Sequence, residues 1–251
     1  MRIVKTEYSS PLAARDVPLY ALLPERDAEA VVFVLHGYGE DCGTHFSRIS
    51  ENGHLLSDAE EKRAALVFPY IYLDERRARC TPLDFASPAV YDRFPDELHS
   101  AVIPFLIREG IVSGRGCALS VAGFSVGGRE AVLSALRYPG EFLLCGAAAP
   151  SPGLIGAAGH PFLAPLYSRE EFSAAARSSG TCFTVVSGEC DGVVGDAPER
   201  YARAIRESGA ECALVSLPSA SHEPRLLDVC VAGMLGRLSS DAIKTKSEET
   251  R

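Results

Sequence analysis

Short, continuous apolar runs alternate along the chain with segments whose apolar residues recur every three or four positions. The runs VVFVLHG (31–37), AALVFPYIY (64–72), GCALSVAGF (116–124), FLLCGAAAP (142–150), TCFTVVSGE (181–189) and CALVSLPS (212–219) read as strands buried on both faces. Ahead of them, RIVKTEYSS (2–10) and VPLYALLP (17–24) read as two edge strands forming an antiparallel pair. Strands alternating with helices predict an α/β fold: a mostly parallel central sheet of about eight strands, with helices on both faces.

The intervening segments carry the helical period. In 92–110, Leu98, Val102, Phe105 and Leu106 fall on one face, and Pro104 is expected to bend the helix or break one of its hydrogen bonds. Residues 126–140 place Val132, Leu133 and Leu136 together. The segment 196–209 opens with Asp196, with Glu199 three positions on and Pro198 in the first turn, a capping-box arrangement. A last helix is expected over 224–238. Two stretches, 73–95 and 151–168, are irregular, and connections of that length inside a domain tend to carry function. The pattern predicts one domain over 1–239 and a polar, flexible tail over 240–251.

Composition narrows the partners. The 251 residues carry a formal charge of −8, which disfavours nucleic acid and anionic membranes and leaves a small molecule as the expected partner. There is no apolar run long enough to span a bilayer, and the first ten residues lack the apolar core of a secretory signal, so a cytoplasmic location is expected. The eight cysteines form no C-x-x-C pair and are expected to be buried free thiols. His36, His45 and His54 are nine residues apart, without a close ligand pair, so no metal is expected.

The candidate chemistry sits in VAGFSVGGRE (121–130), where a strand runs directly into a helix through Gly123-Phe124-Ser125-Val126-Gly127. A serine there is either a turn residue or a nucleophile whose hydroxyl is pushed outward by a strained turn. A nucleophilic serine needs a histidine base and a carboxylate to orient it, arriving in the order Ser, Asp or Glu, His. Asp191, just past the strand at 181–189, is the preferred acid. Glu189 is the weaker competitor because it is expected to lie still within the strand, and Asp196 is expected to spend its carboxylate capping a helix. His222, in the loop after the last strand, is the one histidine downstream of Asp191. The amide of Val126 and that of Tyr38, in the Gly-rich turn HGYGED, are the expected oxyanion donors. His36 is expected to brace that turn. Tyr70, Tyr72, Arg76, Arg77 and Arg79 are candidates to grip an acidic or aromatic substrate.

Together SSPLAARDVPLYALLP, VLHGYGED, DELHSAVIPFL, VAGFSVGGREA and the segment from SGECDGVV to SASH resemble the α/β-hydrolase superfamily, within it the esterase group that includes esterase D and feruloyl esterases. The resemblance covers about residues 2–238. It implies an α/β-hydrolase fold and a serine hydrolase cleaving carboxylic esters or thioesters of small acyl substrates through an acyl-enzyme. The implied triad is Ser125, Asp191 and His222, with the oxyanion hole at the Tyr38 and Val126 amides and no cofactor. Two departures, HEPR after the histidine and Val126 where methionine is frequent, limit any transfer of substrate preference. A serine peptidase or acyltransferase would use the same triad, and a ligand-binding protein on a hydrolase scaffold is the non-enzymatic alternative.

Overall fold

The computed structural model describes residues 1–72, 92–113, 116–155 and 165–238. Eight strands form one sheet: β1 (Arg2–Ser10), β2 (Arg15–Leu23), β3 (Ala30–Leu35), β4 (Ala64–Pro69), β5 (Ala118–Phe124), β6 (Phe142–Ala148), β7 (Cys182–Gly188) and β8 (Cys212–Leu217). Their order is β1-β2-β4-β3-β5-β6-β7-β8. β1 pairs antiparallel with β2, and β2 with β4, while every pairing from β4 through β8 is parallel. The expected edge pair is therefore present, but β8, expected to be buried on both faces, is the opposite edge strand and has no buried residue, because only β7 flanks it. Most of the expected strands lose a residue or two at their ends, because the polar and Gly-rich residues there have already turned into loops.

Alternation along each strand divides the core between the two faces. Val31, Phe33 and Leu35 of β3 point to one side with Ala65 and Val67 of β4, and Val32, Val34, Leu66 and Phe68 point to the other. A register slip of one residue would exchange these sets, so burial on both faces pins the sheet. The first face is covered by α3 (Phe94–Glu97), α4 (Ile103–Arg108), α5 (Val126–Arg137), α6 (Arg169–Ser178) and α7 (Ala197–Glu207). The second is covered by α1 (Cys42–Ser50), α2 (Gly53–Glu61) and α8 (Arg225–Arg237).

The disturbance expected around Pro104 takes a definite form. A π-helical turn, Leu98–Val102, separates α3 from α4, and the Ile103 amide bonds Leu98 O, five residues back. Proline has no amide hydrogen for the Ser100 carbonyl, so the ladder shifts register just ahead of it.

The capping box expected at Asp196 is absent. Asp196 has φ −89° and ψ 10°, makes no side-chain cap and lies 3.9 Å from Arg200, a helical turn on. An N-cap acceptor needs an extended backbone to swing back onto the helix amides, and this one is not extended.

The strand order also sets where a site can form. From β3 the chain moves outward to β4, then returns across β3 to β5. The connections leaving β3 and β5 thus diverge to opposite sides, and the crevice between their carboxyl ends is where open α/β sheets bind ligands. The turn beginning at His36 and the serine at 125 both sit there.

Candidate active site

β5 ends at Phe124 and α5 begins at Val126, leaving Ser125 alone to make the turn, with φ 55° and ψ −116°. A non-glycine residue in this region carries strain of about 1–3 kcal/mol. Its neighbours hold it there: the Ser125 amide donates to Ala148 O at 2.9 Å, and Ser125 O accepts from the amides of Arg129 and Ser151. Close approach explains the glycines. A Cβ on Gly123 would fall 2.2 Å from the Gly127 carbonyl, and one on Gly127 would fall 2.4 Å from Leu35 O.

Ser125 occupies the N-cap position of α5 yet caps nothing with its side chain. A serine capping the helix would spend its oxygen on the first-turn amides, and this one does not. Instead Ser125 Oγ lies 3.1 Å from His222 Nε2, and His222 Nδ1 lies 2.8 Å from Asp191 Oδ2. Three residues separated by up to 97 positions are brought to hydrogen-bond distance. The Phe124 ring packs against the imidazole, with centroids 4.7 Å apart. Asp191 is held by its other oxygen, which accepts from the amides of Val193 and Val194. The carboxylate that caps backbone amides is thus Asp191, while Asp196 is exposed; the reason offered for setting Asp196 aside does not hold, although Asp191 is the one beside His222. Glu189, expected within the strand, instead lies just past the end of β7 and is exposed, because the strand stops at Gly188.

The turn after β3 is braced from three sides. His36 is fully buried, its Nε2 accepts from the Ile71 amide at 3.1 Å, and its Nδ1 therefore carries the hydrogen and donates to Gly37 O at 3.0 Å. Burial lowers its pKa to about 4, which keeps the ring neutral. The Tyr72 hydroxyl donates to the same carbonyl. Glu40 Oε2 accepts from the Gly37 amide at 2.7 Å and lies 2.9 Å from His45 Nε2. Burial alone would raise the Glu40 pKa, but the His45 imidazole and the Gly37 amide beside it lower it. Tyr38, one of the expected oxyanion donors, sits at the apex of this turn. Val126, the other, is the first residue of α5, where an amide has no partner within the helix and the helix dipole is positive.

Other expectations fare unevenly. Tyr72 is buried with its hydroxyl on the turn, so it braces where it was expected to grip substrate. Arg76, Arg77 and Arg79 lie outside the described residues, as does the tail. Among the described cysteines only Cys42, Cys145 and Cys230 are buried; Cys190 is exposed, because β7 ends before it. No described helix is long and apolar enough to cross a membrane, and no group of three His, Cys, Asp or Glu among the described residues is placed to hold a metal ion.

The sequence reading missed three contributors. Glu40 had a faint signal, an acid three residues after a glycine in a tight turn. Ser151 and Tyr201 had none: Ser151 Oγ lies 3.3 Å from Ser125 Oγ, and the Tyr201 hydroxyl donates to Ser151 O. Behind the elbow, the fully buried Arg129 sits between Asp92, at 2.6 Å, and Glu130. Burial pushes the Glu130 carboxyl up to about 8 despite that cation.

Residues 10–191 match the family described as "Putative esterase". No curated protein sequence matches the chain. A CE1 ferulic acid esterase from Anaeromyces mucronatus, solved in complex with ferulic acid, is similar in fold, with TM-score 0.76, 21% identity, and coverage of 94% of this chain and 90% of that one. A fluorophosphonate-binding serine hydrolase from Staphylococcus aureus superposes with TM-score 0.67 at 15% identity, covering 94% and 98%. An S-formylglutathione hydrolase from Staphylococcus aureus does so with TM-score 0.69 at 14% identity, covering 95% and 99%. With the family match spanning most of the chain, the protein belongs to that esterase family and is a carboxylic-ester hydrolase of α/β-hydrolase fold.

Proposed function

We propose that the protein hydrolyses esters of small acyl groups through a covalent acyl-enzyme on Ser125. The observation carrying this is the continuous contact from Ser125 Oγ to His222 Nε2 and from His222 Nδ1 to Asp191 Oδ2. Ser125 Oγ attacks the ester carbonyl as its proton passes to His222 Nε2. Asp191 holds the Nδ1–H tautomer and stabilises the imidazolium. The Tyr38 and Val126 amides receive the carbonyl oxygen as it becomes an oxyanion. Collapse expels the alcohol with the proton from His222, and a water, deprotonated by the same ring, releases the acid. Backbone donors and a neutral His36 behind them suit a negative charge that exists only during reaction.

A fluorophosphonate probe tests the reading. The wild-type chain should label and cleave p-nitrophenyl acetate, and Ser125→Ala should do neither. A variant that still labels, or a folded wild type that neither labels nor cleaves short esters, refutes it. Aryl esters of hydroxycinnamic acids and an acyl-glutathione thioester, suggested by the substrates named for the similar structures, are the first compounds for separating ester from thioester preference.

A further inference from the structure

Besides His222, Ser151 supplies the polar side chain in contact with Ser125 Oγ among the described residues. It lies just after β6 and is 2% exposed. Its backbone is tied at both ends, the amide donating to Ser125 O at 3.0 Å and the carbonyl accepting from the Tyr201 hydroxyl at 2.8 Å. That phenol in turn accepts from the Leu154 amide at 3.0 Å. The backbone therefore holds the loop without help from the Ser151 side chain, whose hydrogen-bond partner is Ser125 Oγ alone among the described residues.

Counting hydrogens sets the direction of that bond. With His222 Nδ1–H turned to Asp191, Nε2 is an acceptor, and the single hydrogen of the Ser125 hydroxyl points to it. Ser125 Oγ is then the acceptor toward Ser151.

We propose that Ser151 is a positioning residue: its hydroxyl donates to Ser125 Oγ and holds the nucleophile in the rotamer aimed at His222. The same donor faces Oγ during deacylation, when the acyl carbon–Oγ bond breaks, its electron pair returns to Oγ and His222 Nε2 gives that oxygen its proton. The inference rests on the reading of Ser125 as nucleophile.

The test uses the full chain, a fluorophosphonate probe and thermal unfolding. Ser151→Ala should fold as the wild type does, with a labelling rate constant lowered about five- to tenfold, the equivalent of one neutral hydrogen bond. Ser151→Thr, which keeps a hydroxyl, should restore most of the rate while the affinity for a carboxylate product stays constant across the series. If the added methyl prevents folding, Ser151→Cys replaces it, and its weaker donor should give a rate between those of serine and alanine. A folded Ser151→Ala that labels at the wild-type rate, or a hydroxyl or thiol variant no faster than alanine, overturns the proposal. Persistent labelling of Ser125→Ala would instead sink the reading beneath it.

Discussion

Asp191 meets His222 with one carboxylate oxygen only: Oδ2 lies 2.8 Å from Nδ1, while Oδ1 accepts the amides of Val193 at 2.9 Å and Val194 at 3.3 Å. In Asp191→Asn the carbonyl oxygen would take the Oδ1 seat, because two N–H donors face it. The NH₂ then faces His222 and forces Nδ1 to accept, which moves the ring hydrogen to Nε2, opposite Ser125. Ester turnover at neutral pH should fall roughly 10⁴-fold, the size of loss a wrong tautomer causes in serine proteases, with folding preserved. A kcat within about tenfold of wild type would remove Asp191 from the orienting role.

Gly127 packs against the backbone at the end of β3. Gly127→Ala would put a methyl 2.4 Å from Leu35 O and 2.5 Å from His36 O. Backbone cannot step aside as a flexible side chain can, so denaturant unfolding should show a loss of about 3 kcal/mol or more. Gly233, exposed on α8 with nothing within 4 Å of a built Cβ, supplies the control. Gly233→Ala should gain up to about 1 kcal/mol from helix propensity.

His36 makes stability depend on pH. Its pKa is 6.5 in the unfolded chain and about 4 in the fold, so the unfolded state binds more protons between those values. The contribution is fully present above pH 6.5 and is lost as pH falls toward 4, amounting to roughly 3 kcal/mol. Chemical denaturation between pH 7 and 4 should therefore give a steeper decline for wild type than for His36→Gln, in which the titrating ring is gone. Parallel slopes would show that His36 does not remain neutral in the fold.

Glu40 acts on the turn carrying Tyr38. Glu40→Ala leaves the Gly37 amide without its acceptor at 2.7 Å. The loosened turn should lower kcat about ten- to a hundredfold, less than the 10²–10³ lost with an oxyanion donor itself. Because the oxyanion exists only in the transition state, KM should stay near its wild-type value. A rise in KM at constant kcat would place Glu40 in ground-state binding instead.

Much of the candidate site was legible because its signals are local or ordered. A serine between glycines at a strand-to-helix junction marks a tight turn, and an acid and a histidine after later strands follow in sequence. The assignment of Asp191 over Asp196 was reached through a capping argument that the backbone at Asp196 contradicts. Side-chain capping depends on a few tens of degrees of φ and ψ, which residue identity does not determine. Tyr72 illustrates the same limit, since its aromatic character fits a substrate wall and a loop brace equally well.

By itself the amino-acid sequence determined the strands, the burial of β3 to β7 on both faces, most of the helices, and the sharp turn at Ser125. These follow from apolar periodicity and from glycines where a Cβ has no room, both properties of short segments. β8, in contrast, reads as apolar but lies half-exposed at the sheet edge. Only the tertiary structure decided the strand order that opens a crevice between β3 and β5, the neutral tautomer of His36, and the approach of Ser151 to Ser125. Those arise where loops from different strands converge, and a contact of about 3 Å between residues far apart in the chain is set by sheet register and loop path together.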